Sequence, residues 1–147
     1  MCEGVSFHTS RNRSGAMSSR VMLIFVGISG FFYVALGAMG AHMLVPVLTS
    51  RQMEWIHTGL QYQGLHTLVM MVLAVLLMRQ PMKPFGWAGI FFAAGMVLFS
   101  GSLYCLAFLP LKFLVYLTPI GGFSFLIGWL CILIGALRLR KLAPSHE

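Results

Sequence analysis

Four long runs of uncharged, mostly apolar residues alternate along the chain with short charged or proline-containing breaks. The runs are Val21–Ser50, Trp55–Met78, Phe85–Leu111 and Phe113–Leu137. Each is long enough to cross a bilayer as a helix, which takes about 20 apolar residues. The pattern predicts spans over about 21–43, 55–78, 85–108 and 113–137. These form an all-α membrane protein, an antiparallel four-helix transmembrane bundle in one domain over residues 17–141. The breaks have their own chemistry. Thr49-Ser-Arg-Gln52 fits a capping box, so the second helix should begin before it enters the membrane. Arg79–Pro84 holds two helix-breaking prolines. Leu109–Lys112 is so short that spans three and four must form a hairpin.

Small residues mark where helices in lipid can approach, because association there relies on close packing and interhelical hydrogen bonds. Span one offers Gly30 and Gly37, with Gly27 and Gly40 on the same face. Span four offers Gly121, Gly128 and Gly135, spaced by seven so that they stay nearly in line. These five, Gly30, Gly37, Gly121, Gly128 and Gly135, are the expected packing positions. A self-association face left over on span one or four is the sharper variant of the same reading. Pro119 falls early in span four, where it is either tolerated in the first turn or kinks the helix.

Composition sharpens the class. Charged residues make up 9% of the chain and hydrophobic ones 59%, against roughly 25% charged in a soluble domain. The net charge of +7 does not point to nucleic acid, because Lys and Arg gather at the ends of spans. Arg11, Arg13, Arg20, Arg79, Lys83, Arg138, Arg140 and Lys141 fall on one side, and only Arg51 and Lys112 on the other. By the positive-inside rule both termini are expected in the cytoplasm. Residues 1–16 are polar and basic and read as a disordered tail, or as sequence ahead of a true start at Met17; 142–147 read as a cytoplasmic tail. The three cysteines show no CxxC spacing and read as small packing residues.

Candidate chemistry lies in the polar residues of the spans, which gather in the half near the first and third connections. His42, Tyr62, Gln63, His66, Ser100, Ser102, Tyr104 and Thr118 form the candidate layer. Tyr62 and His66 are one helical turn apart, as are Ser100 and Tyr104, so each pair shares a face. A bonded cluster of His66, Tyr62, Gln63, Ser100 and Tyr104, with His42 nearer the surface, would act either as interhelical glue or as a ligand site. No metal or cofactor is expected: His57 and His66 are nine residues apart and point to opposite faces. Glu54 is the one carboxylate between the tails, so the intramembrane acid of a cation-coupled carrier is missing. Neither a nucleophile with an oriented base nor a phosphate loop occurs. These features predict a non-enzymatic protein embedded in the lipid bilayer that binds a membrane-protein partner or lipid, or forms a homo-oligomer. The alternative is a small channel or carrier for a neutral or weakly acidic solute, lined by Tyr62, Gln63 and His66.

Several motifs carry a family resemblance. Gly-Ala-Met-Gly-Ala-His at 37–42, Trp55, Thr-Gly-Leu-Gln-Tyr-Gln-Gly-Leu-His at 58–66, Phe-Ser-Gly-Ser-Leu-Tyr at 99–104 and Thr-Pro-Ile-Gly-Gly at 118–122 resemble domain of unknown function 423, also called uncharacterised protein family 0382. The resemblance covers about Met17 to Leu137. Gly59 and Thr67 stand where that family is expected to carry Ala, and Met39 where Phe or Leu is common. The resemblance implies a four-span protein of the bacterial inner membrane and no particular reaction. Combined with the predicted orientation, it places all four motifs in one layer near the periplasmic face.

Overall fold

Each uncharged run closes into one long helix. The computed structural model describes residues 16–109 and 111–140, so the expectations for the N-terminal tail and for 142–147 lie outside the described residues, Ala16 apart. Helix α1 is Ser19–Leu44, α2 Ser50–Arg79, α3 Lys83–Phe108 and α4 Leu114–Arg140. All four are long and apolar enough to cross a membrane, and the described residues contain no strand. The fold is an all-α four-helix transmembrane bundle, with consecutive helices running antiparallel. One end of it carries the connections after α1 and α3; we call this the loop end. The other carries the start of α1, the α2–α3 turn and the last turn of α4; we call this the terminal end.

The helix starts follow local chemistry. Ser18 caps α1, its hydroxyl accepting from the Val21 N–H at 3.4 Å. Thr49 caps α2 in a reciprocal box with Gln52, whose side-chain oxygen accepts the Thr49 N–H at 2.8 Å. The Gln52 amide also donates to the Ala107 carbonyl at 2.9 Å, which satisfies an end carbonyl of α3 and ties α2 to it. Pro84 lies in the first turn of α3, where its missing donor costs nothing. Pro119 lies deeper, in the second turn of α4, and the helix runs on through it. Two helices widen locally into a π-turn, α1 at Gly40–Leu44 and α3 at Met96–Ser100. Such a turn inserts one extra residue and re-aims everything beyond it.

The tightest seam joins α3 to α4. Phe85, Phe92 and Phe99 recur every seven residues on α3, in step with the three glycines on α4. A Cβ on Gly128 would lie 2.5 Å from the Phe92 ring, one on Gly135 would strike the Phe85 ring, and one on Gly121 would strike the Phe99 backbone. The reverse contact also occurs, with Gly95 facing the Phe125 ring at 2.5 Å. Aromatic rings thus enter the gaps that glycines leave. A seven-residue period on both helices keeps that seam aligned along its length. Around it lies an apolar core of Met22, Met70, Leu73, Ala74, Phe85, Ala88, Phe92, Met96 and Phe125.

Span one departs from expectation. Among the described residues no neighbouring atom lies within 4 Å of a Cβ built on Gly27, Gly30 or Gly37, so the packing role expected for Gly30 and Gly37 is not filled by any of them. The α1–α2 contact is made instead by an α2 glycine: Gly64 receives the Tyr33 ring, whose nearest atom would lie 2.8 Å from an added Cβ. On α1 the bulky residue is the knob; Gly27, Gly30 and Gly37 have open space before them, and only Gly40, at the loop end, is buried, against Ile56 of α2.

The helices neighbour one another in chain order. α1 packs on α2, α2 on α3 and α3 on α4. Among the described residues α1 does not approach α4, and its backbone comes close to that of α3 only near the terminal end; at mid-helix the link is a side-chain one, Ser29 Oγ to Met96 Sδ at 3.8 Å. There the Met17 N–H donates to the Gly86 carbonyl at 3.3 Å, and Met22 packs on Gly89. Towards the loop end α1 and α3 diverge, leaving a cleft between them with α2 as its floor.

Candidate functional site

Polar side chains inside the bundle form two bonded groups on neighbouring flanks of α2, about 60–100° apart around its axis. The first joins α1, α2 and α3. The Tyr104 hydroxyl donates to Gln63 Oε1 at 2.6 Å. Gln63 Nε2 donates to the Ser29 carbonyl at 2.8 Å and lies 3.2 Å from Ser29 Oγ. Ser29 Oγ and Thr67 Oγ1 are 2.7 Å apart, and Thr67 donates to the Gln63 carbonyl at 2.7 Å. With the Thr67 proton committed there, the shared proton between the two hydroxyls belongs to Ser29. Every donor in the group then points at an acceptor within the group. Ser100 adds a further tie, donating to the Gly59 carbonyl at 2.9 Å.

The second group joins α2 to α4 through His66, which is only 2% exposed. His66 Nδ1 lies 2.8 Å from the Tyr62 carbonyl. A carbonyl can only accept, so Nδ1 carries the proton and Nε2 is left as an acceptor. Trp129 fills that role, its indole N–H donating to Nε2 at 3.3 Å. The imidazole stacks on Phe125 with ring centres 3.8 Å apart and 9° between planes, and Phe92 lies beside it at 5.1 Å. His66 is therefore a neutral ring with both nitrogens occupied and one face covered by Phe125. Nearer the loop end Ser102 and Thr118 pair at 2.8 Å between α3 and α4. Ser124 donates to the Phe91 carbonyl at 2.8 Å and closes the same seam from the other helix. Among the described residues no buried side-chain nitrogen or oxygen lacks a partner.

The predicted layer is thus brought together in part. Gln63 and Tyr104 meet directly, and Ser102 meets Thr118. Ser100 is buried but bonds backbone rather than His66. Tyr62 supplies its carbonyl to His66 and packs its ring on Phe99 at 4.5 Å, while its side chain stays 41% exposed. His42 does not join: it is exposed on the π-turn that ends α1. The cause is local: Gly40 and Leu44 take the buried face of that turn, so His42, two residues from each, points away from the bundle. Reading for an outer layer also missed Ser29, Thr67, Ser124 and Trp129. The signal was present, since a lone Ser or Thr within an apolar span usually faces protein. Gly59 and Thr67, two of the three departures from the expected family pattern, both lie in the first bonded group, Gly59 through its carbonyl; a Cβ on Gly59 would lie 2.5 Å from the Tyr104 ring.

The cleft between α1 and α3 borders the first group. Its volume is about 240 Å³, with Ile28, Phe32 and Leu36 on α1 and Val97, Gly101 and Tyr104 on α3 among its lining. Ser29, Gln63 and Ser100 reach its floor, yet its walls are almost wholly apolar because those groups spend their polarity on one another. It opens sideways, towards what would be lipid. Among the described residues no three His, Cys, Asp or Glu side chains gather as metal ligands. Cys105 and Cys131 are free thiols.

Comparison with known proteins places the chain among small membrane proteins. The model of the protein of unknown function family DUF423 matches residues 36–122. The UPF0382 inner membrane protein YgdD of Escherichia coli (strain K12) is 53% identical over 131 residues, covering 89% of this chain and 100% of the relative. A UPF0382 membrane protein of Haemophilus influenzae is 41% identical, covering 82% of this chain and 96% of its own. The UPF0382 membrane protein YwdK of Bacillus subtilis is 37% identical, covering 81% and 98%. No solved structure matches.

Proposed function

Because this chain belongs to the DUF423 family, whose similar members include an inner membrane protein of Escherichia coli, we propose that it is a non-enzymatic inner-membrane protein that binds lipid sideways, in the cleft between α1 and α3. The observation that carries this reading is the pairing of an apolar cleft with a sealed polar floor. Hydrocarbon can lie against such a wall at no desolvation cost, whereas a polar solute would find few groups to replace its water. The occupied nitrogens of His66 support the same reading over a solute path, since they offer no open site along α2. The polar belt holds α2 to its neighbours and keeps the cleft floor dry.

Both termini face the cytoplasm in this reading. Arg20, Arg79, Lys83, Arg138 and Arg140 lie at the terminal end of the bundle, against Arg51 and Lys112 at the loop end. That bias favours the terminal end on the cytoplasmic side. The wider part of the cleft then lies in the periplasmic leaflet.

Gly101 gives a clean test, because it lines the cleft and a Cβ built on it meets nothing within 4 Å. Gly101→Phe should fill the cleft without disturbing the bundle. Native mass spectrometry of protein released from mild detergent should show phospholipid retained by the parent chain and lost from the variant. Equal retention by both, with the variant folded, would place bound lipid elsewhere and refute the cleft. Lipid turnover by the purified parent chain would refute the non-enzymatic part.

A further inference from the structure

The outer face of α2 carries a polar group where lipid should lie. Gln61 is exposed, and its carboxamide has no hydrogen-bond partner among the described residues. It stands about 8 Å from the midpoint of the Trp55–Met78 run, at about 1.5 Å per residue, well inside a hydrocarbon layer of about 30 Å. Polar side chains at that depth ordinarily face protein or water, because hydrocarbon supplies no partner. Gln61 also lines a groove of about 330 Å³ between α1 and α2, bordered by Gly30, Val34, Gly64 and Leu68. The groove exists because Gly64 carries the Tyr33 ring while Gly30 faces outward with open space before it.

We propose that a second copy of this chain docks here, pairing α2 with α2 about a two-fold axis along the membrane normal, with Gln61 bonded to Gln61 of the other copy. Two copies inserted with the same topology run their α2 helices parallel, so the same residue meets itself at the same depth. A carboxamide is donor and acceptor at once, so a two-fold pair satisfies both copies with no other chemistry supplied. The neighbouring residues fit a helix seam. Gln61, Leu65, Leu68, Val72 and Val75 alternate by four and three, the spacing of left-handed helix pairs, and every one of them is exposed. A single polar residue in such a seam fixes its register.

The test uses the full chain in native membranes, with Cys2, Cys105 and Cys131 replaced by Ser. Leu68→Cys places a thiol on the seam and leaves Gln61 intact; Leu130→Cys places one on the exposed face of α4. Mild oxidation should cross-link the first into a species of twice the chain mass and leave the second monomeric. Energy transfer between labelled copies in detergent should show Gln61→Leu raising the dimer Kd by about 3- to 20-fold, with helix content unchanged. Failure to cross-link at 68, equal cross-linking at 130, a product of any other mass, or an unchanged Kd would each overturn the proposal.

Discussion

At the scale of single residues, glycine is the most informative type here, and its meaning depends on what stands opposite. Gly128 faces a phenyl ring at a distance no Cβ tolerates; Gly37 faces nothing. Gly128→Ala must therefore push Phe92 from the core and should lower stability by about 1–3 kcal/mol, the usual cost of overpacking. Gly37→Ala should change it by no more than about 0.5 kcal/mol. Thermal unfolding in detergent measures both, and adding Phe92→Leu to Gly128→Ala should restore part of the loss. His66 carries a related lesson. An intramembrane histidine invites a functional reading, yet the carbonyl of Tyr62 fixes its tautomer and the indole of Trp129 uses the remaining lone pair.

At the scale of elements, the π-turn in α3 decides which polar residues meet. Its extra residue sets Gly101–Phe108 about 100° out of phase with a continuous α-helix. With that offset Tyr104 reaches Gln63 on α2 while Ser102 reaches Thr118 on α4. Deleting Val97 should restore regular helix and turn the last segment of α3 by about one residue's rotation. Both bonds would break, together with the Tyr104 ring's seat on Gly59. At about 0.6 kcal/mol per interhelical bond the polar loss alone exceeds 1 kcal/mol, and misplaced packing adds to it. The melting temperature should fall accordingly. An unchanged value would show that the offset is not what aligns the belt.

At the scale of the whole molecule, the bundle is asymmetric along its axis. The terminal end holds the apolar core and the contact of α1 with α3; the loop end holds the divergence of those two helices. The charges follow the same axis, which gives the orientation a direct check. A reporter active only in the periplasm should give signal when fused after residue 48 and none when fused after residue 80 or at the C-terminus. The reverse pattern would invert the molecule and move the cleft to the cytoplasmic leaflet. The proposed pairing through α2 would survive that inversion, since a two-fold along the membrane normal serves either topology.

The sequence by itself determined that the chain forms four membrane helices, because hydrocarbon forbids unpaired backbone and leaves an apolar run of this length little choice. It also determined the capping box at Thr49 and the seven-residue glycine period of α4, which are local in the chain. Half of the candidate site was legible in the same way: Gln63, His66, Ser100, Ser102 and Tyr104 stand out as polar residues in apolar runs. Only the tertiary structure decided which partner each one found. The phenylalanines opposite the α4 glycines, the bond from Ser29 to Thr67, the exposure of His42 and the outward face of Gly30 and Gly37 all depend on how helices cross and where a π-turn shifts the register. Those are relations between elements, fixed by how ring shapes fill the gaps left by glycine, and helical periodicity within one span does not contain them.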